Sequence, residues 1–117
     1  MVAPDPIAWV DDILDCIGWI ERQTAGRSVA DYRSDRVMRD VVERNVENIP
    51  EASRRLPENL KAAHPQMYWR QIAHLDNILP HAYRTVDHTT VWDIVELDLP
   101  ALREVVEIMR RDLGRDP

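Results

Sequence analysis

Apolar residues recur every three or four positions along most of the chain, the spacing that places them on one face of an α-helix. Asp5 precedes Pro6, a pair typical of a helix N-cap and first turn, and apolar residues follow at helical spacing as far as Ile20. Gly26 is positioned to end this first helix, and Ser28 is positioned to cap a short turn that follows. No stretch alternates with the period of two expected of a half-buried strand. The pattern predicts an all-α protein.

A second long helix is predicted to begin at Asp35 and to run to about Leu56. Pro50 lies inside it, where a proline bends a helix without necessarily ending it. The apolar stripe expected to be buried consists of Val37, Met38, Val41, Val42, Val46 and Ile49.

The second half of the chain contains shorter predicted elements. Pro57 and Pro65 bracket one or two helical turns, and a third long helix is expected from about Met67 as far as Val86. A short helix over residues 89–96 follows. The last helix is expected to be capped by Asp98-Leu99-Pro100, with a core face of Leu102, Val105, Val106, Met109 and Leu113.

These elements predict an architecture for the whole chain. The 117 residues are enough for one modest core, with 44% hydrophobic and 31% charged residues and three glycines. We therefore expect residues 1–117 to form a single domain, a four-helix up-down bundle with an extra short helix.

Charge and cysteine content limit the partners and the compartment. The net charge of −6 gives no general attraction to nucleic acid, but residues 22–55 carry eight arginines against six acidic residues, so an anionic partner is expected at the middle of the chain. The single cysteine, Cys16, excludes an internal disulfide and favours a cytoplasmic protein with a buried thiol. No apolar run is long enough for a membrane anchor, and no signal peptide is expected at the start.

Residues 67–86 concentrate the candidate chemistry. On one continuous helix, Arg70, His74, Asn77 and His81 would share a stripe opposite the apolar residues. Such a polar row could be a solvated surface, or it could face a second subunit. No Glu-x-x-His pair accompanies the histidines, so no metal site is expected.

This part of the chain resembles the HepT family, small toxins of the HEPN superfamily. The similarity is carried by Trp69 to Ala73, by Asn77 to Tyr83 followed by Val86 and Asp87, by Val91 to Ile94, and by Asp98 to Pro100; Asp12 to Leu14 and Asn45 to Ala52 also fit.

The resemblance implies an all-α homodimer that cuts RNA without a metal or other cofactor at a cleft between its subunits. The family motif is Arg, four residues, His, one residue and Tyr, with a polar residue after the Arg. His81 matches the histidine, Tyr83 the tyrosine and Asn77 the polar residue, whereas Asp76 occupies the arginine position. The resemblance further implies a minimal nucleotidyltransferase antitoxin that adenylylates Tyr83.

Asp76 is a chemical departure from this motif. Arginine offers a permanent cation and a planar donor fork suited to phosphate, and aspartate offers neither. A histidine that titrates near neutral pH suits proton transfer, so His81 keeps its expected role. Arg70 and His74 are possible RNA contacts, and Arg70 could replace the lost cation across a dimer interface.

Three functions are consistent with these residues. The first is a HepT-like ribonuclease toxin impaired by Asp76. The second is a non-catalytic binding module for the antitoxin enzyme, and the third is a structural dimer without a nucleic-acid role.

Overall fold

The computed structural model describes residues 5–79 and 87–114 of the chain. Every regular element in these two ranges is helical, so the all-α prediction is confirmed for this part of the protein. The α-helices are α1 (Pro6–Thr24), α2 (Val29–Ser34), α3 (Arg36–Arg55), α4 (Glu58–Ala62), α5 (Trp69–Ile72), α6 (His88–Asp93) and α7 (Leu99–Gly114); a 3-10 helix, the 75–78 turn, spans Leu75–Ile78, and a π-helical segment spans Ile94–Asp98.

The first helices begin and end where the sequence predicts. The Asp5 carboxylate accepts the Ile7 N–H at 2.9 Å and caps α1, and Gly26 takes the positive φ of 71° after the helix ends. Ser28 and Asp31 form a reciprocal capping box at the start of α2. These ends are predictable because each is formed by hydrogen bonds within a few residues.

Helix α3 confirms the second long helix. The Asp35 carboxylate accepts the Met38 N–H at 3.1 Å, and the helix continues through Pro50 to Arg55, with Leu56 at its C-cap. The predicted short helical segment between Pro57 and Pro65 is α4.

The core lies where α1 packs against α3 and α7. Most of the predicted apolar positions are buried there, but Val37 is 68% exposed and Val41 only half-buried. The buried side chains of these three helices include Val10, Ile13, Ile17, Ile20, Met38, Val42, Val46, Ile49, Leu102, Val105, Val106 and Met109. The core thus supports α3 along its whole length and fixes the position of its C-terminal end.

The predicted long helix starting near Met67 is wrong over its described part. Helix α5 is a single turn, and the chain then continues as the 75–78 turn. In a continuous α-helix the Ala73 carbonyl would accept the Asn77 N–H. Instead it accepts a hydrogen bond from Nη1 of Arg54, and the Asn77 N–H donates to the His74 carbonyl at 3.0 Å. A side chain of α3 therefore takes the place of a backbone donor and favours the tighter turn.

The predicted cap at residues 98–100 is also wrong. The chain from α6 to α7 is one helix with the π-helical segment inside it, and the Leu99 N–H donates to the Ile94 carbonyl. Pro100 has no N–H for the Glu96 carbonyl, and its ring would collide with that carbonyl in a regular α-helix. The wider π turn relieves this conflict, so the helix continues without a cap.

None of the helices in the described ranges is long and apolar enough to cross a bilayer.

Candidate functional site

Two of the four motif positions lie on the 75–78 turn. Asp76 and Asn77 are next to each other on this turn, which packs against α3. His81 and Tyr83 lie outside the described residues, so their roles stay predictions.

The polar stripe predicted for this region is exposed although the predicted helix is interrupted. Arg70, His74 and Asn77 are exposed, whereas Ile72 and Leu75 are buried against the core. The spacing of apolar and polar residues in this segment therefore predicts correctly which side chains face the core and which face the surface. The polar side chains remain available for a ligand or a partner.

Asp76 has a cationic neighbour that sequence reasoning missed. Nη1 of Arg54 lies 4.0 Å from Oδ1 of Asp76, and the side chains are 43% and 37% exposed, respectively. The hydrogen bond from Arg54 to the Ala73 carbonyl holds the guanidinium group at the same turn. Arg54 is 22 positions before Asp76, and no local pattern links the two residues.

Arg54 also belongs to a small charged network at the end of α3. Its Nη2 lies 3.3 Å from Oε2 of Glu51, and Glu51 accepts a shorter hydrogen bond of 2.9 Å from Nε of Arg55. Hydrogen bonds from Arg55 and then Arg54 lower the pKa of Glu51. Two guanidinium groups thus balance the carboxylates of Glu51 and Asp76.

Arg70, the cation considered from sequence, is placed elsewhere. It lines a depression together with Lys61 and Trp69. The Trp69 indole donates to the carbonyls of Lys61 and His64 at 3.0 and 3.2 Å, which attaches α5 to the end of α4. Within the part of the chain that the structure describes, Asp76 forms its ion pair with Arg54 and not with Arg70.

An apolar groove of about 570 Å³ runs beside the same turn. One wall is formed by residues 66–75 and includes the exposed side chains of Tyr68 and His74, and the other is formed by residues 90–101. Partial burial of the Asp98 carboxyl group, and then the negative charge of Asp93, raise the pKa of Asp98. The π-helical segment places Leu97 and Asp98 along this groove.

No group of His, Cys, Asp and Glu side chains within residues 5–79 and 87–114 is arranged to hold a metal ion. Cys16 is buried on α1 as predicted.

The sequence of the chain is similar to that of known ribonucleases. The family model described as Ribonuclease HepT-like matches residues 13–109. A Thermococcus cleftensis protein named probable ribonuclease HepT is 34% identical over 103 residues, which cover 88% of this chain and 94% of that protein. Two Methanocaldococcus jannaschii proteins named as candidate RNases are 31% and 30% identical, over 99% and 90% of this chain and 97% and 96% of their own lengths. No solved structure matches the chain significantly.

Proposed function

The chain belongs to the Ribonuclease HepT-like family, and from this membership we propose that it is a metal-independent HEPN ribonuclease and the toxin of a toxin–antitoxin pair. The observation that carries the proposal is the occurrence of Asn77, His81 and Tyr83 at the family spacing in a chain that matches the family over residues 13–109. The working form is a homodimer of up-down helical bundles with RNA bound between the subunits.

Cleavage requires no group beyond the protein and the RNA. The RNA 2′-oxygen attacks the adjacent phosphorus while His81 accepts the 2′-hydroxyl proton, and the bond from phosphorus to the 5′-oxygen breaks. The leaving 5′-oxygen takes up a proton, so the products are a 2′,3′-cyclic phosphate and a 5′-hydroxyl. The phosphate gains negative charge in the transition state, which a nearby cation stabilises.

Asp76 weakens this step in the protein as it stands. Removal of one preorganised donor typically lowers a rate by about 100- to 1000-fold, and the aspartate side chain offers no such donor. The same residue favours the second candidate function, in which the protein no longer cleaves and acts as a binding partner of the antitoxin enzyme.

Tyr83 is the proposed site of control by a minimal nucleotidyltransferase antitoxin. Transfer of an adenylyl group to its hydroxyl would add bulk and negative charge two residues after His81, and would repel RNA phosphates. Mass spectrometry of the protein coexpressed with that enzyme should locate the adduct on Tyr83. An adduct on Tyr68 or Tyr32 alone would contradict this assignment.

The central experiment compares the protein with its Asp76→Arg variant on single-stranded RNA in the presence of a chelator. We expect weak cleavage by the unchanged protein, strong cleavage by Asp76→Arg and loss of that gain when His81→Ala is added. Asp40→Arg is the matched control, because it adds the same charge on an exposed part of α3.

A folded dimeric Asp76→Arg variant that does not cleave RNA would favour the binding module. Strong cleavage by the unchanged protein would show that another group replaces the motif arginine in full.

A further inference from the structure

We propose that Arg54 supplies the cation that the motif position lacks, with Asp76 and the Ala73 carbonyl positioning its guanidinium group for an RNA phosphate. This inference rests on the proposed function and names a residue of the same site. It follows from the contacts at the end of α3, since Arg54 reaches the turn that carries Asp76 and Asn77.

Arg54 is positioned at the turn that carries Asp76. The core holds α3 in place, and the Arg54 side chain extends from its last turn to the 75–78 turn. The hydrogen bond to the Ala73 carbonyl and the electrostatic contact with Asp76 both involve Nη1 and restrain this end of the guanidinium group. An arginine at position 76 would place a positive charge on this turn. Arg54 brings a positive charge to the same turn from the adjacent helix α3.

The Nη2 group of Arg54 is available to a phosphate. The bond from Nη2 of Arg54 to Glu51 is 3.3 Å long and exposed, and Glu51 keeps its 2.9 Å bond to Arg55 if Arg54 leaves. A phosphate oxygen can therefore replace Glu51 at Nη2 while the bond to the Ala73 carbonyl persists. Nη2 would then form a charge-assisted bond to the phosphate while Nη1 stays on the Ala73 carbonyl, a division that the single ammonium group of lysine does not reproduce.

Asp76 holds the Arg54 side chain at the turn. A carboxylate alone at this turn would repel RNA, but beside Arg54 it is partly neutralised and keeps the guanidinium group from turning away. Asp76 acts here as a positioning residue. Its removal by Asp76→Ala should therefore lower the residual cleavage instead of raising it.

The experiment removes Arg54 in two backgrounds. Cleavage of a labelled single-stranded RNA is measured for Arg54→Ala, Arg54→Lys and the control Arg44→Ala, an exposed arginine on the same helix. The same changes are made together with Asp76→Arg. Binding of the 2′-O-methyl form of the RNA, which has no attacking hydroxyl, is measured across salt concentrations.

We expect Arg54→Ala to reduce the residual cleavage at least about tenfold, since an exposed cation contributes less than a buried donor. The slope of log affinity against log salt should decrease by about 0.7, the value for one phosphate contact on a single strand. Arg54→Lys should restore the slope but only part of the rate. Arg44→Ala should change neither quantity.

Combining the Arg54 variants with Asp76→Arg separates a role of Arg54 in cleavage from a role in stabilising the fold. With Asp76→Arg present, the turn carries its own cation, so Arg54→Ala should cost little. An equal loss in both backgrounds would mean that Arg54 only stabilises the fold, and the inference would be wrong.

The two proposals also fail differently. An active Asp76→Arg protein with unchanged residual cleavage and salt slope in Arg54→Ala would reject the role of Arg54 alone. Absence of cleavage in every variant would reject the ribonuclease, and the salt slope would still decide whether Arg54 contacts RNA phosphate.

Discussion

Cys16 combines burial with a negative electrostatic environment. Cys16 is only 8% exposed. This burial, followed by the negative charges of Asp15 and Asp12, raises the pKa of the thiol from 9.0 to about 11. Because only the thiolate reacts with alkylating agents, the folded protein should be protected from them. The cysteine is consequently a reporter of the folded state.

We predict that iodoacetamide labels folded Cys16 at pH 8 at least about 100-fold more slowly than the urea-unfolded chain, since two pKa units change the thiolate fraction by that factor. Mass spectrometry over time measures both rates in the same protein. Similar labelling rates in the folded and the unfolded chain would show that the thiol is accessible and that its pKa is not raised.

The same shift affects alkaline stability. Between about pH 9 and 11 the unfolded chain loses the thiol proton and the folded chain keeps it, so the free energy of unfolding decreases as pH rises. The loss from this group is at most about 3 kcal/mol. Cys16→Ala should have a shallower decrease over this window in urea denaturation, and an unchanged slope would contradict the shift.

Short hydrogen-bonded caps determine several helix ends. In the box at α2, the Ser28 hydroxyl accepts the Asp31 N–H at 3.2 Å, and the Asp31 carboxylate accepts the Ser28 N–H at 2.9 Å. The hydrogen bond from the Ser28 N–H, followed by the interaction with the Ser28 side chain, lowers the pKa of the Asp31 carboxyl group. Because Tyr32 on this helix is fully buried, fraying of α2 would disturb the core.

We predict that Ser28→Ala lowers the free energy of unfolding by about 1 kcal/mol, and that Ser28→Gly costs only a few tenths, because glycine adopts the N-cap backbone more easily. Urea denaturation at pH 7 distinguishes the two variants. Equal losses would indicate that the hydroxyl acts through something other than the cap.

Two interruptions of regular α-helix lie near the candidate site. The 75–78 turn forms where Arg54 of α3 binds the Ala73 carbonyl. The π-helical segment forms where Pro100 has no N–H for the Glu96 carbonyl. The first interruption puts Asp76 next to Arg54, and the second puts Leu97 and Asp98 along the groove. Both irregularities therefore shape the surface on which the proposed chemistry depends.

The quaternary structure follows from the proposed site between two subunits. We predict that light scattering at micromolar concentration gives about twice the chain mass of 13.7 kDa. The face that carries His74, Asn77 and His81 should form the interface. Asn77→Glu should weaken the dimer through like-charge repulsion, whereas Glu104→Gln on exposed α7 should not.

A monomer under these conditions would contradict the shared active site. A dimer that is insensitive to Asn77→Glu would place the interface on another face.

Local sequence determined much of this protein. Asp5, Ser28 and Asp35 specify helix starts because their side chains bond backbone groups two or three residues away. The apolar spacing predicted which faces of α1, α3 and α7 are buried, since a helix repeats every 3.6 residues. The motif spacing likewise indicated the family, which the comparisons confirmed.

Tertiary structure decided where the helices are interrupted and which charged groups meet. These features depend on contacts between residues that are far apart in the sequence. Periodicity predicts a continuous helix after Met67, but Arg54 occupies the Ala73 carbonyl that such a helix would use. Val37 fits the apolar stripe of α3, yet it stays exposed because none of the described helices packs over it. The pairing of Arg54 with Asp76 has the same origin, since it requires the end of α3 and the 75–78 turn to be packed together.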